Sequence, residues 1–391
     1  MEGAILWKLK EKYNEAKIFT DLVEDAAVEQ VAKMLDHAIT DKTKVRIMPD
    51  VHAGKGSTVG TTIKLPDSFD DWKVAPNVVG VDVGCGIYMM KIANVKSYQV
   101  DFDKLDKAIR RGVPAGFNVH NKPKSLEITN KVVELLSDEI KGDYLTEDNI
   151  TRIHNSLGTL GGGNHFIELG VDQNSELWLS VHSGSRNLGV QVAQYHQNVA
   201  NELTGALVEE KDLAYLEGIA LKRYLNDMKA AQLYAHESRK SMLSTIVRDM
   251  GWEVVDEFDS VHNFIEVVES DNEIIEGVIR KGATSAKLGE RLVIPLNMRD
   301  GSIIARGLGN DDWNESAPHG AGRMMSRRKA KKELTLDYFQ KTMEGVYSTS
   351  ISERTLDEAP AAYKPAEAII DNIKDTVTIE AIVKPIYNFK A

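Results

Sequence analysis

Short β-rich runs recur along the whole chain, and each is bounded by Gly, Asn, Asp or Pro. They lie at 44–50, 87–92, 164–171, 177–183, 262–268, 291–297 and 303–308. Runs of this length between turn-forming residues are typical of strands that end in tight turns. The chain must therefore build sheets from many short strands, and this requirement constrains its fold more than any other feature.

Helical patterns lie between these runs. From Ile219 to Arg248 the apolar residues fall near one face, which predicts a long amphipathic helix or a helix pair within a helical segment at about 205–250. Further helices are expected at 24–37, 101–111, 125–141 and 322–345. Because strands and helices mix without a strict βαβ alternation, the pattern favours an α+β fold over a doubly wound sheet.

Length and composition indicate a globular protein. The chain has 391 residues, 42% of them hydrophobic, and no repeat or low-complexity linker, so one domain over residues 1–391 is the simplest expectation. No window resembles a membrane helix, and charges interrupt the segment from Met1 to Glu15, unlike a signal peptide. The single cysteine, Cys85, forbids an internal disulfide and agrees with a reducing compartment. A cytoplasmic location is expected.

The net charge of −11 argues against nucleic acid binding over the whole surface and requires a local basic patch instead. Residues 319–332 carry six Lys or Arg and no acidic residue: Arg323, Arg327, Arg328, Lys329, Lys331 and Lys332. A charge run of this kind is usually a solvated helix face. Its attachment to His319 makes a functional role more plausible here.

Five glycine-rich segments surround polar side chains, at 52–60, 80–86, 158–165, 182–189 and 319–323. Glycine lets backbone N–H groups approach a ligand closely. The familiar nucleotide motifs are nevertheless missing. Pro49 stands where a Walker A motif needs its first Gly, and no strand-to-helix G-x-G-x-x-G or K-x-D-G motif exists. A nucleotide attached covalently would therefore need a side chain other than lysine.

Asp82 and Cys85 lie three residues apart in a glycine-rich turn and can both reach one metal ion. This pair alone fits a buried structural cysteine better. Three histidines in matching contexts on β-rich runs make a metal cluster equally plausible: His165, His182 and His262. Ligand softness alone would favour zinc or iron for such a set.

Six motifs, taken together, resemble the RtcB family of RNA ligases: MPDVHAGKGSTVG (48–60), VGVDVGCG (79–86), GTLGGGNHFIE (158–168), VHSGSRNLG (181–189), HNFIE (262–266) and HGAGRMMSR (319–327). They span about residues 45 to 390 in the family's order. The resemblance implies a single catalytic domain with β-sheets around a central metal cleft and peripheral helices.

The resemblance also implies an activity. It is the joining of RNA ends that carry a 3′-phosphate or 2′,3′-cyclic phosphate to 5′-hydroxyl ends, in RNA repair or tRNA splicing. GTP and two Mn²⁺ ions would be used, through a guanylated His319 and an RNA-ppG intermediate. An archease-like activator and a monomer or homodimer fit the family. The implied metal ligands, with the cysteine shared between both ions, are Asp82, Cys85, His165, His182 and His262.

The resemblance further assigns contacts to RNA and to GTP. RNA contacts fall on Arg186, Arg323, Arg327 and Arg328. GTP contacts fall on Asn164, His165, Phe166, Ile167, Glu168, His262, Asn263, Pro295, Leu296, Asn297, Met298, Ser302, His319, Gly320, Ala321, Gly322 and Lys390. The chain departs from the family at 295–298, where P-L-N-M replaces P-G-S-M, and at Ser238, where Asn is usual.

Two other functions remain open at this point. A metal-dependent enzyme that guanylylates RNA ends, or a phosphodiesterase, would keep the metal centre without sealing, and the altered 295–298 loop is the feature that favours it. An RNA-binding module with a structural metal site would bind RNA without turnover. The additional histidine in a glycine-flanked turn, His319, argues against such a module.

Overall fold

The computed structural model describes residues 7–143, 145–271 and 273–390. Residues 1–6, part of the segment expected to lack a signal peptide, lie outside the described residues. The strands are β1 (Trp7–Lys10), β2 (Glu15–Ile18), β3 (Lys44–His52), β4 (Val59–Lys64), β5 (Gly86–Ile92), β6 (Phe166–Val171), β7 (Leu177–Ser183), β8 (Val254–Val261), β9 (Asn263–Ser270), β10 (Glu273–Lys281), β11 (Ala283–Ser285), β12 (Arg291–Asn297), β13 (Gly301–Gly307), β14 (Ser316–Pro318) and β15 (Val377–Lys390).

Helices lie between these strands and around them. They are α1 (Asp25–Leu35), α2 (Pro76–Val79), α3 (Phe102–Gly112), α4 (Leu126–Leu135), α5 (Asp138–Asp143), α6 (Glu147–Ser156), α7 (Arg186–Thr204), α8 (Gly218–Met250), α9 (Arg327–Glu333), α10 (Leu336–Thr342) and α11 (Ala366–Asn372). Among the described residues, no helix is both long and apolar enough to cross a membrane.

Two large sheets dominate the architecture. One has the order β1-β2-β3-β4-β10-β9 and the other β12-β13-β15-β6-β7-β5-β8, and a small sheet pairs β11 with β14. All pairs are antiparallel except β2 with β3. The long strand β15 pairs with β13 along its first half and with β6 along its second half. It thereby places Lys390 opposite Phe166.

The register of the second sheet gathers four chain segments at one end. Gly86 at the start of β5 lies opposite Ser183 at the end of β7 and opposite Val261 at the end of β8. Phe166 at the start of β6 lies opposite His182. The residues just beyond these positions must therefore meet at this end of the sheet.

Helix α8 supports this arrangement from one side. It packs against α3, α4 and α7 and against strands β5 and β7. Its buried face includes Leu221, Tyr224, Met228 and Ala231, which belong to the largest hydrophobic core. A helix of this length is stabilised mainly by burying such an apolar face.

The structure confirms the α+β class and the seven predicted strands. Of the two alternatives for 219–248, a long helix or a helix pair, it has one long helix, α8. The prediction of continuous helices at 125–141 and 322–345 was wrong. Ser137 separates α4 from α5 because its backbone N–H and Oγ are both bound to the buried Asp227. Thr335 begins α10 by accepting a hydrogen bond from the Tyr338 N–H, so α9 ends before it. Residues 205–217 of the predicted helical segment lie between α7 and α8.

Candidate metal and nucleotide site

The structure brings together all five predicted metal ligands. Cys85 Sγ lies 3.3 Å from His182 Nε2 and 3.6 Å from His165 Nε2. His165 Nε2 is 3.1 Å from Asp82 Oδ2, and His182 Nε2 is 3.2 Å from His262 Nε2. Two triads share the cysteine, Asp82–Cys85–His165 and Cys85–His182–His262, and within each the ligand atoms lie within 4.8 Å of one another.

The electrostatics of this cluster suit a cation. Burial lowers the pKa of His182 and of His262 well below the usual value, and neighbouring imidazoles lower both further. Burial raises the pKa of the Cys85 thiol well above its usual value, and Asp82 raises it further. Burial opposes ionisation of Asp82, but its hydrogen bond to His165 leaves its pKa lowered. Neutral imidazoles can bind a metal directly, whereas the thiol must release its proton on binding.

The backbone around the cluster orients the side chains of His165 and Asp82. His165 Nδ1 is 2.9 Å from the Leu160 carbonyl oxygen, and a proton on Nδ1 would leave Nε2 free as a ligand atom. A Cβ at Gly184 would come within 2.0 Å of Asp82 Oδ1, so a side chain there would displace the carboxylate. Glycine at this position leaves room for the Asp82 carboxylate.

Arg239 on α8 joins the turns that carry the cysteine and His182. Its Nη1 donates to the Gly84 carbonyl at 2.7 Å and to the Ser183 carbonyl at 2.8 Å, while Asp259 pairs with the other guanidinium nitrogens. The adjacent Ser238, at the position where the family usually has Asn, accepts a hydrogen bond from the Gly158 N–H at 3.0 Å. The serine thus keeps a hydrogen bond to the 158–165 segment.

A cavity of about 420 Å³ adjoins the cluster, a volume that suits a nucleotide-sized ligand. Thirteen of the predicted GTP contacts line it: Asn164, Phe166, Glu168, Pro295, Leu296, Asn297, Met298, Ser302, His319, Gly320, Ala321, Gly322 and Lys390. His165, His262, Asn263 and Ile167 do not. Ile167 is fully buried in a hydrophobic cluster, because alternate residues of β6 face opposite sides of the sheet.

A charged group forms another part of the cavity wall. Glu358 accepts hydrogen bonds from Lys390 and from Arg327, and Arg323 lies 3.5 Å from it. Burial opposes ionisation of Glu358, but Lys390 and Arg327 lower its pKa to about 2. Arg323 and Arg327, predicted as RNA contacts, therefore line the same cavity as the nucleotide contacts. Arg328 is exposed on α9.

The altered 295–298 loop is fixed by the rest of the protein. Leu296 is 3% exposed and packs in a core cluster with Ile294 and Ala321. The Asn297 side chain accepts hydrogen bonds from the backbone N–H groups of Arg299 and Asp300 and so caps the turn between β12 and β13. The two departures from the family pattern thus have local structural roles.

Sequence reasoning assigned no role to several residues of this site. Asp50 and His52 lie on β3 within a motif that was recognised, but nothing in one sequence shows that β3 runs beside His319. Asp50 Oδ2 lies 2.6 Å from His319 Nδ1 and 3.1 Å from the His319 backbone nitrogen. His52 lines the cavity, and burial lowers its pKa to about 4. Glu358 lies outside every motif.

The buried carboxyl group of Glu168 should make the stability of the protein depend on pH. Burial raises its pKa to about 8, although Asn388 and Lys390 oppose the shift. Because the folded protein holds this proton more tightly than the unfolded chain, the contribution of Glu168 to the free energy of unfolding falls as pH rises from about 4.5 to about 8.

We expect Glu168→Gln, which cannot ionise, to lack this loss. Between about pH 4.5 and about pH 8, the free energy of unfolding of the wild type should fall relative to that of the variant. The fall should be about 1.4 kcal/mol for each unit by which the pKa is raised. Urea unfolding of both proteins at several pH values measures the difference. Parallel pH profiles would contradict the assignment of a raised pKa to this carboxyl.

The donor set fits a metal centre. Backbone carbonyl oxygens face Nδ1 of His165 and of His182, which favours a proton on each Nδ1. The two Nε2 atoms that face the cysteine then carry no proton, and the thiol can donate a hydrogen bond to only one of them. A cation would satisfy these facing lone pairs. The cluster and the adjoining cavity thus define a protein that can hold metal ions beside a nucleotide-sized ligand.

Comparison with known proteins agrees with this class. The family model described as tRNA-splicing ligase RtcB matches residues 28–391. The RNA-splicing ligase RtcB of Escherichia coli K12 is 33% identical over 362 residues, covering 86% of this chain and 87% of that protein. The tRNA-splicing ligase RtcB of Aeropyrum pernix is 28% identical, over 83% of this chain and 82% of that protein. The tRNA-splicing ligase RtcB of Nanoarchaeum equitans is 27% identical, over 93% of this chain and 89% of that protein. The chain belongs to the RtcB family of RNA ligases.

Proposed function

We propose that this enzyme joins RNA ends carrying a 3′-phosphate or 2′,3′-cyclic phosphate to 5′-hydroxyl ends, using GTP and Mn²⁺, through a guanylated His319. The proposal is supported by the family match and by the position of His319. This histidine lies in the cavity wall, and its ring centroid is 4.7 Å from that of His262, a predicted metal ligand.

The hydrogen bond between His319 and Asp50 is the observation that carries the proposal. Asp50 is fully buried, and its carboxylate binds both the ring Nδ1 and the backbone N–H of His319. A carboxylate at Nδ1 favours the tautomer with the proton on Nδ1 and the lone pair on Nε2. Among the described residues, Nε2 has no hydrogen-bond partner, so it is available as a nucleophile.

In this account, His319 Nε2 attacks the α-phosphorus of GTP, forms an N–P bond and expels pyrophosphate. Where the RNA ends in a 2′,3′-cyclic phosphate, water first opens the ring by breaking the bond from phosphorus to the 2′-oxygen and so gives the 3′-phosphate. The 3′-phosphate of the RNA then attacks the phosphorus bound to His319, which frees the histidine and leaves GMP on the RNA end. The 5′-hydroxyl finally attacks the 3′-phosphate, forms the phosphodiester and expels GMP. Asp50 holds the imidazole through the first two steps and stabilises positive charge on the ring.

Cationic side chains would hold the polyphosphate. Lys390, Arg323 and Arg327 line the cavity and supply donors to phosphate oxygens, and Glu358 holds them in place. The cluster of Asp82, Cys85 and the three histidines would hold the metal ions. When bound, such ions act as Lewis acids that stabilise charge on phosphate oxygens.

Asp50→Asn should slow the GTP-dependent labelling of His319 by roughly a hundredfold or more. An amide that donates to Nδ1 would move the histidine proton to Nε2 and block the nucleophile. Labelling with radioactive GTP measures the rate. Asp172→Asn is a matched control, because Asp172 is a buried carboxylate in the turn at the far end of β6. Equal labelling of both variants would rule out the positioning role of Asp50.

Ligation itself is tested with RNA that carries 3′-phosphate and 5′-hydroxyl ends, incubated with the protein, GTP and Mn²⁺. We expect circular RNA. Linear RNA that carries GMP, or trimmed linear RNA, would instead support the enzyme that modifies ends without sealing them. RNA binding without any change in the RNA would support a binding module.

A further inference from the structure

Phe117 is an exposed aromatic residue on a turn that is hydrogen-bonded to the segment preceding His165, and none of the motifs above includes it. Its side chain is 93% exposed, the largest exposure among the exposed large hydrophobic residues of the described chain. Phe117 lies in the segment between α3 and α4, at a turn closed by a 3.3 Å hydrogen bond from the Asn118 N–H to the Ala115 carbonyl. Gly116 has a φ of 65° and takes the first central position of this turn, so Phe117 projects from its apex.

The turn is fixed to the segment that precedes His165. The Gly116 N–H donates to the Gly161 carbonyl at 2.7 Å, and the Leu160 N–H donates to the Pro114 carbonyl at 2.9 Å. A Cβ at Gly161 would come within 2.9 Å of His165 Nδ1, so Gly161 contacts the imidazole of this predicted ligand. The backbone of this turn is thus hydrogen-bonded to the segment that positions a predicted ligand of the cluster.

Arg186 joins the same turn to the segment that leads to His165, which pairs with Asp82 in the cluster. Its guanidinium donates to the Gly116 carbonyl at 2.8 Å and to Thr159 Oγ1 at 3.0 Å. Burial lowers the pKa of Arg186, the Asp82 charge raises it, and the nearby Arg152 lowers it. Arg152 is exposed on α6, the helix that precedes the 158–165 segment.

The sequence on either side of Phe117 is basic, although the protein has a net charge of −11. Residues 107–126 contain five Lys or Arg and no Asp or Glu. Arg110 and Arg111 form ion pairs with Asp106 and Asp249. Lys122 and Lys124 are exposed, and neither has an ion-pair partner within the described parts of the chain. An exposed ring with unpaired cations five and seven residues further along the chain suits a ligand with flat apolar faces and a negatively charged backbone.

We propose that Phe117 stacks on a nucleobase of the RNA strand whose end enters the Asp82 side of the cluster, while Lys122, Lys124 and Arg152 contact its phosphates. This inference rests on the proposed ligation of RNA. Single-stranded RNA is commonly held by aromatic rings beneath its bases and by cations along its backbone. A stacking ring next to the reacting end would fix the direction of the terminal nucleotide without selecting one base.

The test compares the wild type with Phe117→Ala and Phe117→Trp. Removing one stacked base typically weakens binding by at least about fivefold. We expect Phe117→Ala to weaken the binding of fluorescein-labelled RNA by at least this factor, and to raise the RNA concentration that gives half-maximal sealing. Phe117→Trp should bind as the wild type does. Tyr98→Ala is the matched control and should have no effect, because Tyr98 is 85% exposed beyond the opposite end of β5 from Cys85.

RNAs with one abasic nucleotide at successive positions from each end locate the stacked base. At one position, the abasic RNA should bind the wild type and Phe117→Ala equally, because neither complex can then form the stack. Labelling by GTP, which needs no RNA in the proposed mechanism, verifies that each variant is folded.

Equal binding and equal sealing of intact RNA by the wild type and Phe117→Ala would overturn the inference. The exposed ring would then be assigned to a contact with another protein. The inference would also be overturned if Phe117→Ala bound every abasic RNA more weakly than the wild type does, by the same factor as for intact RNA. A wild type that labels with GTP but neither binds nor seals RNA would instead refute the proposed function, and the inference would fall with it.

Discussion

His319→Asn should abolish GTP-dependent sealing of RNA with a 3′-phosphate, yet it should still seal RNA whose 3′ end already carries GMP. The variant lacks the nucleophile that accepts GMP, so the rate on the first substrate should fall by roughly a thousandfold or more. The final step needs aligned ends and a leaving GMP but no histidine nucleophile. Denaturing gels of both reactions, run in parallel, measure the two rates.

The comparison separates a covalent carrier from a structural role for His319. The five residues of the cluster are unchanged in this variant, and its metal content should match that of the wild type. If a folded, metal-loaded His319→Asn protein fails on both substrates, the histidine must also act in the final step. A role as nucleophile alone would then be untenable.

Cys85→Ser should abolish sealing while the protein remains folded. The cysteine is shared by both triads, and its sulfur lies within 3.6 Å of two imidazole nitrogens. A serine hydroxyl is similar in size but does not ionise as a metal-bound thiol does, and it is a harder ligand. We expect metal content, measured by elemental analysis, to fall together with activity.

Met89→Leu is a suitable control for this variant. Met89 is buried on the same strand, β5, and leucine conserves its volume. The control should keep both metal and activity. A Cys85→Ser protein that binds metal normally and still seals RNA would make the cysteine an ordinary core residue.

Much of the site was accessible from the sequence, since its side chains lie in short motifs at the ends of strands. Asp82 and Cys85 precede β5, His165 precedes β6, and His262 lies between β8 and β9. Asp50 could not be assigned in this way. Its role depends on a contact with His319 across 269 residues, which is set by the tertiary fold.

Two of the strands that were missed, β8 and β15, have a physical explanation. β8 alternates exposed and half-buried residues and carries three acidic side chains, so its composition resembles a loop. β15 runs over 14 residues because it pairs with two different partners in succession, β13 and then β6. No local pattern in the sequence reports a change of partner along one strand.

The most direct test of the central claim is the intact mass of the protein after incubation with GTP and Mn²⁺. We expect the wild type to gain the mass of one guanylyl group, which is GMP less one water, to lose it on addition of RNA with a 3′-phosphate, and to keep it with RNA that ends in a 3′-hydroxyl. Peptide mapping under non-acidic conditions should place the GMP on His319, and His319→Asn should show no mass gain. A wild type that seals RNA without any adduct, or an adduct that persists in His319→Asn, would contradict the account.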